Sequence, residues 1–130
     1  MRKILLVDDE AYVTTVLSRK LAPMFDAVLT ASDGEEAFDL ARREGPILIV
    51  SDYQMPGTDG FELACKLRAN PPTADTPVIL LTARGHLLSD GQLAQTGIRL
   101  VLAKPFSVRE LTLAIHEVLG STGSAEVAAA

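Results

Sequence analysis

Apolar runs recur along the chain at residues 3–7, 25–31, 47–50, 78–81 and 100–103. Run 47–50 is Ile-Leu-Ile-Val with no polar break, which suits a strand buried on both faces. Run 25–31 is less apolar and reads as a strand nearer a sheet edge. Between the runs the apolar spacing changes to helical. Val13, Val16, Leu17 and Leu21 share one face, as do Ala37, Leu40 and Ala41. Phe61, Ala64, Cys65 and Arg68 read as the next stripe, and Val108, Leu111, Ile115, Val118 and Leu119 as the last. A helix is expected over 87–95, although Gly91 falls inside it and Gly97 closes it.

Boundary residues agree with this alternation. Asp9 can cap the first helix and Pro23 close it. Ser32 with Glu35, Asp59 with Glu62 and Ser107 with Glu110 have capping-box spacing, in which each side chain takes up a free amide of the other's turn. Gly45-Pro46 and Pro71-Pro72 stop the intervening helices. Residues 1–120 therefore read as one domain, and 121–130, small and alanine-rich, as a disordered tail or linker remnant.

Strand then helix, five times, means a parallel sheet with helices on both faces. Right-handed crossovers leave few topologies. Five units favour the doubly wound order 2-1-3-4-5, a flavodoxin-like three-layer α/β sandwich. A chain of 130 residues suffices for one such domain with one core.

Charge narrows the function classes. The formal net charge of -5 argues against a nucleic-acid surface and against adhesion to an anionic membrane. No apolar run approaches the ~18 residues of a membrane span. Asp8-Asp9-Glu10 interrupts the first run too early for a signal peptide, so a cytoplasmic protein is expected. The one cysteine, Cys65, has no internal disulfide partner and no metal-ligand spacing around it. It reads as core-facing.

The polar residues that end the runs carry the chemistry. Asp8-Asp9 follow the first, Asp52 the third, Thr82 the fourth and Lys104 the fifth. In the expected topology all lie at the carboxyl edge of the sheet, where open α/β folds bind ligands. Crowded carboxylates raise one another's cost of ionising. A hard cation relieves that cost, and one or two carboxylates with water and phosphate oxygens are the usual Mg²⁺ set. Lys104 offers a point charge to a phosphate oxygen, and Thr82 a donor. A carboxylate nucleophile, a metal and a cation suit phosphoryl transfer onto aspartate. The bland alternative is that the aspartates only cap loops.

These residues resemble the motifs of response-regulator receiver domains of two-component signalling. The matching motifs are Asp8-Asp9, Asp52-Tyr53-Gln54-Met55-Pro56-Gly57-Thr58-Asp59-Gly60, Thr82-Ala83 and Lys104-Pro105-Phe106, in order, over residues 3 to about 119. The resemblance implies a phosphorelay protein in which Asp52 takes a phosphoryl group from a histidine kinase or phosphotransfer protein. It implies Mg²⁺ on Asp9, Asp52 and the backbone carbonyl of Gln54, with Asp8 acting partly through water. Lys104 would contact the phosphoryl oxygens and Asp52, and Thr82 would move to report the phosphoryl group. Lys104-Pro105 is expected cis. An output domain or partner protein would dock on the fourth helix, fifth strand and fifth helix.

Val101 departs from the family, which often has a switching aromatic three residues before the lysine. Movement of the loop after Thr82 and of the helix beginning near Leu87 is expected to carry the signal instead. Family members that dimerise through the fourth and fifth helices commonly carry acidic residues before the lysine and an arginine in the last helix. Here the two stretches read Arg99-Leu100-Val101 and Leu113-Ala114-Ile115, so that charge pattern is missing, and Leu87, Leu88 and Leu100 are candidates for an exposed apolar face. Gln54 and Arg84 stand two residues after Asp52 and Thr82, at positions that by the resemblance flank the water that hydrolyses the aspartyl phosphate. Their long side chains are expected to crowd it and slow that reaction. Glu10 has no role assigned, and His86 and His116 are expected to face solvent. Tyr53 is expected to be partly exposed. Two other classes compete. An aspartate-nucleophile phosphatase needs an acid two residues after Asp52, where Gln54 has no proton to give. A phosphate-independent docking domain would have no use for the acidic pair and Asp52. The lack of phosphate-cradling glycines after the first strand disfavours a flavin or dinucleotide site.

Overall fold

The computed structural model describes residues 2–83 and 88–120. Five parallel strands, β1 (Lys3–Val7), β2 (Ala27–Ala31), β3 (Leu48–Asp52), β4 (Val78–Thr82) and β5 (Ile98–Ala103), lie in the order β2-β1-β3-β4-β5. Helices α1 (Ala11–Leu21), α2 (Gly34–Glu44), α3 (Gly60–Ala69), α4 (Asp90–Ala94) and α5 (Val108–Gly120) alternate with them. The expected doubly wound topology is the observed one. The expected tail at 121–130, Leu87, Arg84 and His86 lie outside the described residues.

Side chains alternate across each strand, and the two faces collect different helices. Ile4, Leu6, Leu48, Val50, Ile79 and Leu81 point to the layer of α1 and α5, where Leu17, Leu21, Leu111 and Ile115 meet them. Leu5, Val7, Ile49, Val78 and Leu80 point to α2 and α3, against Ala37, Ala41, Leu63 and Leu67. Covered on both sides, β3 and β4 are buried at every position, while β2 and β5 keep exposed or half-exposed positions as edge strands do.

Several local expectations are corrected. The cap of α2 is Asp33, whose side chain accepts from the Glu36 N–H, and Glu36 reaches back to the N–H and hydroxyl of Ser32. The box is thus shifted by one residue from Ser32 and Glu35. Asp9 does not cap α1. Glu10 holds the N-cap position with no side-chain hydrogen bond. Pro23 falls inside a 3-10 turn, Ala22–Met24, that continues from α1. On α3 the buried stripe is Gly60, Leu63, Ala64 and Leu67. Phe61 and Cys65 are half-buried and Arg68 is exposed, because α3 packs on the sheet through the neighbouring face.

The fourth helix is short. It begins at Asp90 behind a Ser89–Gln92 capping box, a spacing the sequence also contains. Strand β5 starts two residues early, at Ile98. Gly97 admits this start: its carbonyl accepts from Val78 N–H, and a Cβ there would lie 2.7 Å from the Thr76 carbonyl oxygen.

Candidate functional site

The carboxyl edge is built by the strands' register. Val7 pairs with Ser51, and Asp52 pairs with Leu81, so β1, β3 and β4 end level with one another. Asp8 leaves β1, Asp52 ends β3, Thr82 ends β4 and Lys104 follows β5. The Lys104 N–H donates to the Thr82 carbonyl at 2.8 Å, extending the β4–β5 ladder one step and fixing where the lysine emerges. The Lys104-Pro105 peptide is cis.

Lys104 Nζ lies 2.9 Å from Asp52 Oδ1 and 3.8 Å from Asp8 Oδ2. Asp8 and Asp52 are buried and Asp9 is exposed. One carboxylate oxygen from each of the three lies within 4.8 Å of the others. The acidic pair divides its work. Asp8 Oδ1 accepts from the Glu10 N–H at 2.9 Å, holding the start of α1, whereas Asp8 Oδ2 is buried with no hydrogen-bond partner among the described residues. So it is Asp8, not Asp9, that secures this helix start.

Burial pushes the Asp8 carboxyl above its ordinary range, and the charges of Asp52 and Asp9 push the same way. The Glu10 amide and Lys104 oppose this without cancelling it. Burial would depress Lys104, yet its hydrogen bond to Asp52 and the charges of Asp52, Asp8 and Glu10 together raise it. The lysine is thus held charged between two buried carboxylates. Asp8 Oδ2 is buried without a hydrogen bond and faces two further carboxylates, and the one ammonium it shares with Asp52 does not balance three negative charges, so a further cation there would lower the free energy. The donor set, all oxygen, matches a hard divalent ion.

Thr82 is buried at the edge, but its hydroxyl donates to the Ala83 carbonyl at 2.9 Å. Gln54 is exposed, in the loop beyond Asp52. That loop turns at Gly57, whose φ of 76° suits glycine. It is pinned at one end by Met55, buried in the core, and at the other by the Asp59–Glu62 capping box of α3. Gly60 closes the sequence motif, and the fold supplies its physical reason. A Cβ on it would collide with the Asp52 carbonyl oxygen and Leu80, so only glycine lets α3 start this close to Asp52.

Val101 is 38% exposed on β5, and Leu113 is exposed on α5. Leu88 and Leu100 are half-buried and pack against opposite core layers, so they do not form one exposed apolar face. Tyr53 is half-buried, in line with its expected partial exposure. His116 is half-buried too, which corrects the expectation that it faces solvent.

A sheet of this order with this edge defines a class of signalling domain, and the comparisons agree. The model of the response regulator receiver domain matches residues 4–116, so the chain belongs to that family. It is 35% identical over 120 residues to a probable chemotaxis protein CheY of Rhizobium etli, covering 92% of this chain and 93% of that protein. It is 40% identical over 117 residues to a probable transcriptional regulator ycf27 of Porphyra purpurea, covering 90% of this chain and 47% of the regulator. The chain thus spans about half the length of the ycf27 regulators it matches. Chemotaxis protein CheY4 of Vibrio cholerae superposes with a TM-score of 0.82 at 30% identity, over 91% of this chain and 98% of that one. The chain is a receiver domain of two-component signalling, a signalling module. No helix among the described residues is long and apolar enough to cross a membrane.

Proposed function

We propose that Asp52 is the phosphoacceptor of a phosphorelay and that Asp8, Asp9, Lys104 and Thr82 serve its phosphorylation. The observation that carries this reading is the placement of Asp52 Oδ1 against Lys104 Nζ, beside a buried Asp8 Oδ2 that accepts no hydrogen bond among the described residues. One Asp52 carboxylate oxygen attacks phosphorus in line with the leaving group. The new O–P bond forms as the bond from phosphorus to the donor's imidazole nitrogen, or to acetate in acetyl phosphate, breaks. The leaving group departs with the electron pair. Lys104, held charged by its neighbours, follows the phosphoryl oxygens as negative charge gathers on them. Rotation of Thr82 away from the Ala83 carbonyl would turn its hydroxyl to the same oxygens.

Asp9, Asp52 and the Gln54 carbonyl would hold Mg²⁺, with Asp8 acting partly through water. Bound there, Mg²⁺ supplies charge neutralisation for the carboxylates and for the transferring group. The donor is a histidine kinase or phosphotransfer protein, and the output partner docks on α4, β5 and α5. The family assignment supports both partners in kind.

Mass spectrometry after incubation with acetyl phosphate and Mg²⁺ tests the reading. The native chain should gain one phosphoryl mass and Asp52→Ala none. Equal labelling of the two would end it. Sustained turnover of phosphate esters would instead favour the phosphatase, against which Gln54 stands where an acid is needed. Partner binding unaffected by Asp52→Ala and by Mg²⁺ would favour phosphate-independent docking.

A further inference from the structure

The first residue of α2 touches the far end of the loop that follows Asp52, just before the cap of α3. Gly34 is buried, and a Cβ placed on it would lie 2.8 Å from both Cβ and Cγ2 of Thr58 and 3.0 Å from the Thr58 carbonyl oxygen. Contacts this short force a shift, and Thr58 Cβ belongs to no flexible side-chain end. Its Cα sits between the Gly57 turn and Asp59, the N-cap of α3. An intruding methyl therefore moves backbone. The same segments, with Asp9, line a hollow of about 460 Å³ beside the acidic cluster. Segment 54–58 thus has core anchorage at Met55, the α3 cap at Asp59, and Gly34 against its far side.

We propose that Gly34 is a positioning residue: its close contact with Thr58 sets the height of loop 54–58 and so places the Gln54 carbonyl for Mg²⁺. This rests on the reading that Asp9, Asp52 and the Gln54 carbonyl bind Mg²⁺. Gly34 has no ordinary backbone reason to be glycine, since it opens a helix without a positive φ. Its lack of a side chain is explained by the close approach of the loop. Groups that orient a metal ligand without touching the metal commonly matter about 10- to 100-fold in affinity.

The experiment is a reciprocal pair read by calorimetric Mg²⁺ titration, with thermal melting in Mg²⁺-free buffer alongside. Gly34→Ala pushes the loop outward, and Thr58→Gly releases it. Each single change should raise the Mg²⁺ Kd by about tenfold. In the double variant the methyl introduced at position 34 occupies the space vacated by the Thr58 side chain, and the Kd should return to within about threefold of native. If Gly34→Ala does not fold, Thr58→Gly and the double variant still decide the matter. Lower melting temperatures with native Mg²⁺ affinity would reduce Gly34 to a packing residue and overturn the proposal. So would a double variant no better than the worse single. A native chain that binds no Mg²⁺ would overturn the metal reading itself, and native binding with unaffected variants only the positioning.

Discussion

Lys104 Nζ bridges Asp52 Oδ1 and Asp8 Oδ2, at 2.9 Å and 3.8 Å, from the end of an edge strand. The bond to Asp52 is a charge-assisted hydrogen bond that survives partial burial because two carboxylates share one cation. Lys104→Met removes the only cation within salt-bridge reach of either carboxylate among the described residues. The rate of Asp52 labelling by acetyl phosphate should fall by about 10²-fold, the usual effect of deleting one preorganised donor. A time course of intact mass checks it; a loss under about threefold, far short of that effect, would show that Lys104 does not serve the transfer.

Asp8 makes stability depend on pH. Burial raises its carboxyl in the folded state, so the folded protein binds the proton more tightly than the unfolded chain. The stability this contributes is fully present below the unfolded carboxylate range and is lost as pH rises through the raised folded value. At neutral pH the ionised group is a cost. Asp8→Asn should therefore raise the melting temperature at neutral pH in Mg²⁺-free buffer. That gain should shrink as pH is lowered toward the ordinary carboxylate range. A lower melting temperature at neutral pH would mean that the Glu10 amide and Lys104 together stabilise the ionised carboxylate by more than its burial costs.

Gly60 reports how tightly α3 seats on β3. Gly60→Ala should cost about 1–3 kcal/mol, because the methyl must displace the Asp52 carbonyl or Leu80. Urea unfolding measures this directly. A variant as stable as native would show that α3 can slide without penalty.

At α2 the two candidate caps can be separated. Asp33→Ala should cost about 1 kcal/mol by losing the bond from the Glu36 N–H, while Ser32→Ala should cost clearly less. Urea unfolding of the two variants gives the order. The reverse order would restore the cap that the sequence spacing suggested.

Val101 is an exposed position on β5, so its side chain carries little of the core packing. Val101→Ala should change stability by no more than about 0.5 kcal/mol. With a beryllofluoride mimic, amide shifts should change at Ala83 and between Leu88 and Val101. Unchanged shifts there would exclude that stretch as the carrier of the signal.

The five apolar runs made the strand order and the common edge legible, because burial on two faces leaves no room for polar residues inside a strand. The site residues were legible for a related reason: a polar side chain directly after such a run has only the sheet edge to occupy. What failed was local. Ser32 and Asp33 both satisfy the cap pattern, and which side chain meets the helix amides depends on the angle at which β2 delivers the chain. Asp8 and Asp9 are chemically identical in sequence. Their division into a buried partner of Lys104 and an exposed one follows from pleat direction at the end of β1. The α3 stripe fell on the wrong face because period alone does not say which of two adjoining faces meets the sheet.

Composition and period thus decided the layers, and the count of five strand–helix units with the crossover rule decided the order of strands and the edge where Asp8, Asp9, Asp52, Thr82 and Lys104 gather. The fold decided distances: the Lys104–Asp52 contact, the buried Asp8 oxygen, and the clearances at Gly34 and Gly60. The first set depends on free energies of burial summed over many residues, which a linear pattern records. The second depends on ångström-scale approach between segments far apart in the chain, which no local pattern contains.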